Sequence, residues 1–90
     1  MHPGALMREV LEDHVKVPIA EAARRMKVSR PALYAVLNGT AAVTADMALR
    51  FSRLTGAAPE LYLSMQVGHD LEAAQLRLKD ELAKIEPVAA

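Results

Sequence analysis

Apolar residues recur along this chain with the period of a helix, in five stretches, and no stretch alternates with the period of a strand. Pro3-Gly4 opens the first, which is expected to run to about Asp13 with Leu6, Val10 and Leu11 as its apolar stripe. Pro18 starts the second, to about Met26, with Ala22, Ala23 and Met26 on the inner side. After a turn at Lys27-Val28, Ser29 is placed to cap a third helix, because its hydroxyl can accept from an amide one turn on. Pro31 is tolerated in that first turn, where no intrahelical amide is needed. Leu33, Val36 and Leu37 then face inward, and Asn38-Gly39 ends the helix with residues that accept a left-handed backbone. Thr44 caps the fourth helix, whose inner face is Met47, Ala48, Phe51 and Leu54, and Thr55-Gly56 stops it. Pro59 begins the last helix, expected to reach about Ile85, with Leu61, Tyr62 and Met65 closing the core. The pattern predicts one all-α domain over residues 1–90, five helices with an extended C-terminal one.

That last helix changes character along its length. From Leu71 onward, Leu71, Gln75, Leu78, Leu82 and Ile85 repeat at spacings of four and three, a heptad seam of about two repeats. So short a seam is not stable alone. A dimer interface over residues of this 59–85 helix is its best use, with Gln75 as a polar register-setter; folding back on its own domain is the alternative.

The second and third helices, about residues 18–38, have the layout of a helix-turn-helix. Ala23 allows two helices to approach closely, Val28 plugs the turn, and Leu33 with Val36 docks the reading helix. Arg30, Pro31, Tyr34 and Ala35 are then left to project from one face and meet base edges, while Ser29 and the amides at the helix start can meet phosphates. Lys27, Ala32 and Asn38 complete the predicted DNA-contacting set. A plain helical hairpin can use the same frame, so charge becomes informative.

Net charge is zero, but it is sorted along the chain. Residues 16–39 carry Lys16, Arg24, Arg25, Lys27 and Arg30 against Glu21, a sum of +4. Residues 1–15 sum to −2 through Glu9, Glu12 and Asp13 against Arg8, and residues 59–90 to −3. Phosphate affinity follows local charge, because each neutralised phosphate releases condensed counterions. A basic centre with acidic flanks therefore suits DNA, although an ordinary solvated mixture of charges has the same sums.

Composition excludes more than it suggests. The chain is 52% hydrophobic, but much of that is Ala, and Phe51, Tyr34 and Tyr62 are the only aromatics, so the core is thin. There is no Cys, hence no disulfide or thiolate metal site, and no apolar run approaches a membrane span. A cytoplasmic protein is expected. His2, His14 and His69 lack metal-ligand spacing and read as surface or capping residues. No phosphate loop or nucleophile–base pair occurs, so neither enzyme activity nor a cofactor is expected.

Five segments carry a resemblance: HPG at His2-Pro3-Gly4, AEAARRMKVSR from Ala20 to Arg30, LNG at Leu37-Asn38-Gly39, TADMALR from Thr44 to Arg50, and PELYLSMQVGHDL from Pro59 to Leu71. In this order and spacing the chain resembles the HigA/VapI-type antitoxins, a branch of the lambda-repressor-like (Cro/C1, xenobiotic-response-element type) helix-turn-helix family. The resemblance implies a five-helix DNA-binding domain that dimerises, binds double-stranded operator DNA and represses its own operon. It also implies neutralisation of a HigB-type, RelE-like mRNA-cleaving toxin. Three departures narrow this. Lys27 stands where the family usually has Gly in the turn, Ile19 where a Gln commonly reaches a phosphate, and Pro31 and Ala35 where polar readers are frequent. Arg30 remains the one strong base-edge candidate, with Tyr34 beside it.

Two further readings stay open: a repressor without a toxin partner, and a toxin-binding module whose helix-turn-helix is only scaffold. The chain ends leave little for a disordered toxin-binding tail, one residue before His2 and Pro87–Ala90 after the last helix. A toxin would then meet a folded surface, such as the acidic first helix.

Overall fold

The computed structural model describes residues 1–88, so Ala89 and Ala90 of the expected tail lie outside the described residues. Among those described, all regular structure is helical: α1 (Gly4–Glu9), α2 (Ile19–Met26), α3 (Arg30–Leu37), α4 (Ala45–Thr55), α5 (Pro59–Arg77) and α6 (Lys79–Ala83). The all-α expectation holds, with the single long last helix replaced by α5 and α6. No helix among the described residues is long and apolar enough to cross a membrane.

The capping chemistry expected from the sequence is present. Ser29 Oγ accepts from the Ala32 amide at 3.1 Å, and Thr44 Oγ1 from the Met47 amide at 3.2 Å. Each satisfies an amide that a helix start leaves without a partner. Gly56 closes α4 at φ 82. After α3 it is Gly39 alone that turns left-handed, at φ 79; Asn38 keeps helical angles.

The core is built from Met7 and Leu11 of the first helical segment, Ala22, Ala23 and Met26 of α2, Leu33, Val36 and Leu37 of α3, and Met47, Ala48 and Phe51 of α4, with Val43 and Tyr62. Phe51 and Tyr62 meet edge to face, centroids 5.2 Å apart, and join α4 to α5. Burial pushes the Tyr62 phenol up from its ordinary range. Leu54 packs only partly against this cluster.

Three expectations are corrected. The buried line of the first segment is Met7 and Leu11, with Leu6 and Val10 only partly covered. Met7 and Leu11 lie four apart on one face, and Leu6 with Val10 forms the neighbouring line, one residue off it. α1 passes into a π-helical turn at Val10–His14, where the Val15 amide bonds to Val10 O and the Val17 amide to Leu11 O. Second, Leu61 is 47% exposed and Met65 half-buried, because the inward line of α5 is Tyr62 and Gln66, four apart. Leu61 lies one residue off that line, about 100° around the helix.

Third, the last helix does not run unbroken to Ile85. It ends at Arg77, Leu78 leaves helical geometry at φ −97, ψ 8, and α6 begins at Lys79. Arg77 in the last turn of α5 and Asp80 with Glu81 in the first turn of α6 each suit the dipole of the end they occupy. The seam residues Leu71, Gln75, Leu78, Leu82 and Ile85 are all exposed, Leu71 by 58%. The buried residues of α5, Tyr62 and Gln66, lie in its first half. The radius of gyration is 16.2 Å, against about 12 Å for a compact chain of this length. The C-terminal segment therefore projects from the body.

Candidate nucleic-acid interface

The turn between α2 and α3 is held by a residue far away in sequence. Arg50 of α4 donates through Nη1 to Met26 O at 2.8 Å and to Lys27 O at 3.4 Å, while its Nε donates to Asp46 Oδ1. The guanidinium thus satisfies carbonyls that the end of α2 leaves free and opposes the negative end of its dipole. Sequence reasoning placed Arg50 only within a motif and missed this role. Its position six residues into a helix capped at Thr44 carries no local sign of it.

Lys27 adopts φ 61, ψ 42, the left-handed conformation usual for glycine at this point. For a lysine this costs about 1 kcal/mol. The Val28 amide reaches Ala23 O at 3.0 Å and the Lys27 amide Arg24 O at 3.2 Å, which closes α2 and leads directly into α3.

On α3 the buried residues Leu33, Val36 and Leu37 define the docked side, leaving Arg30, Pro31, Ala32 and Tyr34 exposed. The Arg30 guanidinium makes no ion pair among the described residues. Tyr34, 41% exposed, stands one turn further along the same flank. Ser29 Oγ accepts from Ala32 as the cap, which leaves its hydroxyl hydrogen to donate outward.

Two of the predicted contact residues are engaged by the fold. Ala35 is half-buried, and its carbonyl accepts from the Thr40 and Ala41 amides and from Thr40 Oγ1. Asn38 Oδ1 accepts from Arg8 Nη2 at 2.6 Å, so its side chain is tied to α1. The hydrogen-bonding groups left on the outer face of α3 are chiefly Arg30 and Tyr34.

The loop after α3 is pinned from two sides. His2 Nδ1 accepts from the Gly4 amide at 2.9 Å, which puts the ring proton on Nε2, and Nε2 donates to Ala41 O at 3.0 Å. The buried Gln66 accepts from the Val43 amide at 2.8 Å and donates to Asp70 Oδ1 at 2.9 Å. That Gln66 bond, with help from His69, holds the Asp70 carboxyl below its ordinary range. His2 thus serves as a capping residue, as its sequence context suggested. Gln66 was missed: a lone Gln in an amphipathic helix has no signal that marks it as buried. Among the described residues no group of three or more His, Asp or Glu could hold a metal ion.

A tight two-helix unit with a clamped turn, a capped and exposed second helix and a pinned following loop defines a helix-turn-helix domain of the lambda-repressor-like class. No protein-family model matches the chain. It is 34% identical over 82 residues to virulence-associated protein A' of Dichelobacter nodosus, spanning 90% of this chain and 70% of that protein. Among solved structures it superposes on the antitoxin GraA at a TM-score of 0.87 and 31% identity, covering 98% of this chain and 96% of that one. The Pseudomonas aeruginosa antitoxin HigA, solved with the higBA promoter, matches at a TM-score of 0.89 and 26% identity over 99% and 98% of the two chains. The chain belongs to the HigA-type antitoxins of the xenobiotic-response-element helix-turn-helix family, which are regulators and not enzymes.

Proposed function

We propose that this protein is an antitoxin that binds operator DNA as a homodimer through α3, represses its own operon and neutralises a HigB-type, RelE-like mRNA-cleaving toxin in the cytoplasm. The observation that carries the DNA part is Arg30 at the exposed start of α3, without an ion pair among the described residues, in the one strongly basic segment of the chain. The likeness to an antitoxin solved with its promoter supports the same reading. Arg30 reads a guanine edge, Tyr34 meets a base or phosphate, Ser29 and the first amides of α3 meet the backbone, and Lys27 adds a phosphate contact. Pro31 and Ala32 contribute apolar contact only. The exposed residues Leu71, Leu78, Leu82 and Ile85, with Gln75, supply the two-fold contact that sets two reading helices about 34 Å apart.

With DNA from upstream of the protein's own coding region, Arg30→Ala is expected to lower discrimination against a random duplex by about 1–3 kcal/mol, roughly 5- to 150-fold. Unchanged discrimination would remove Arg30 as the reader. The engagement of Ala35 and Asn38 favours a second reading, a toxin-binding module with a residual helix-turn-helix. Absence of any salt-sensitive DNA binding decides for it.

For the toxin, Glu9, Glu12 and Asp13 form an exposed acidic surface across α1 and its π-helical turn, with Glu12 3.7 Å from Arg8. This surface faces a basic RNA-cleaving partner. Reversing the three carboxylates to Lys should weaken the complex at least tenfold in a titration of toxin against antitoxin, since opposed charges become like ones. An unaltered Kd excludes this surface.

A further inference from the structure

Beside the turn lies a surface cleft of about 290 Å³, lined by Arg25, Met26, Lys27, Arg50, Arg53 and Leu54. Four of these residues are cations and none is a carboxylate. Two cations are fixed from outside: Glu21 lies 3.9 Å from Arg25, and Asp46 with the Met26 and Lys27 carbonyls holds Arg50. The other two, Lys27 and Arg53, make no ion pair among the described residues. Like charges gathered around one opening repel, and Lys27 also occupies a backbone conformation that glycine would adopt without strain. Neither feature helps the isolated fold; an anion in the cleft would relieve the repulsion, and its binding would offset the cost of the backbone strain.

We propose that this cleft is a phosphate seat, in which Lys27 and Arg53 grip a phosphodiester of the DNA strand bordering the groove that α3 enters. The proposal rests on the reading of α3 as the DNA-contacting helix. Continuity favours DNA over a carboxylate-bearing protein. Lys27 lines the cleft and stands two residues before Ser29, the cap of α3, so the cleft adjoins the turn that leads into the reading helix. Arg25 and Arg50 are each paired with a carboxylate and frame the opening, which leaves Lys27 and Arg53 as its uncompensated cations, with Met26 and Leu54 as its apolar lining. Such a contact is blind to sequence. It complements a reading helix with few base-reading side chains: affinity comes largely from the backbone and discrimination from Arg30.

The full-length protein titrated onto a random duplex of about 30 base pairs, between about 50 and 200 mM salt, tests this through the slope of log K against log salt. The Lys27→Gly, Arg53→Gln double variant should have a slope shallower by about 2 per bound protomer, and Arg53→Gln alone by about 1. The charge-preserving pair Lys27→Arg, Arg53→Lys should keep the original slope. Neither altered side chain makes an ion pair among the described residues, so no variant should melt below the parent, and Lys27→Gly should melt slightly above it because glycine adopts the left-handed backbone without strain. A parent that binds with strong salt dependence while both charge-removing variants keep its slope overturns the phosphate seat and leaves the reading of α3 intact. A parent without salt-dependent binding overturns both.

Discussion

Gly4→Ala is expected to destabilise the fold by about 3 kcal/mol, against the direction that helix propensity alone predicts. Alanine in a helix is normally favoured over glycine by roughly 0.5–1 kcal/mol. At this position, however, a Cβ would lie 2.2 Å from Val36 O and 2.8 Å from Leu37 O. Both are backbone atoms at the end of α3, so neither can swing away, and α1 must lift off the reading helix. Overpacking of this kind costs about 1–3 kcal/mol, at its upper end where the obstacle is rigid. Thermal unfolding should show Tm lowered by roughly 10–20 °C. Gly68→Ala provides the control, because a Cβ there meets nothing within 4 Å. That variant should gain stability, and equal melting of the two would refute the steric account. The same displacement would loosen the Arg8–Asn38 contact that ties α1 to the end of α3.

Phe51→Ala should be at least as damaging, at about 3–5 kcal/mol. Phe51 is fully buried and packs edge to face on Tyr62, in a core with no other phenylalanine and no tryptophan. Because a domain of this size has only about 5–15 kcal/mol of stability in total, the variant should be substantially unfolded at 37 °C by far-ultraviolet circular dichroism. Phe51→Leu, which keeps most of the volume, should lose far less. A Phe51→Ala protein as stable as the leucine variant would mean that α4 and α5 are held together by something other than this pair.

Helix positions were legible because helices announce themselves locally. Ser29 and Thr44 fill their capping roles, Gly39 and Gly56 turn left-handed, and Ala22, Ala23, Met26, Leu33, Val36 and Leu37 are buried as the periodicity required. Contacts with neighbours from elsewhere in the chain left no such local mark. Val43 is buried although it sits in a loop, since Gln66 reaches across to bond its amide. Ala35 is drawn in by the returning Thr40 loop, and Asn38 is taken by Arg8. The π-helical turn at Val10–His14 and the break at Leu78 interrupt helical stretches whose apolar spacing gives no sign of either.

Sequence alone therefore determined the helical class, the helix-turn-helix frame and the sorting of charge toward its centre, all consequences of short-range periodicity and composition. Only the tertiary structure decided how that frame is held and what it leaves free. Arg50 arrives from α4 to close the turn, Gly4 lets α1 lie on α3, and Gln66 with His2 pins the following loop. The gathering of Arg25, Lys27, Arg50 and Arg53 around one cleft belongs to the same category. These contacts join residues far apart along the chain, and periodicity, which speaks only of near neighbours, carries no information about them.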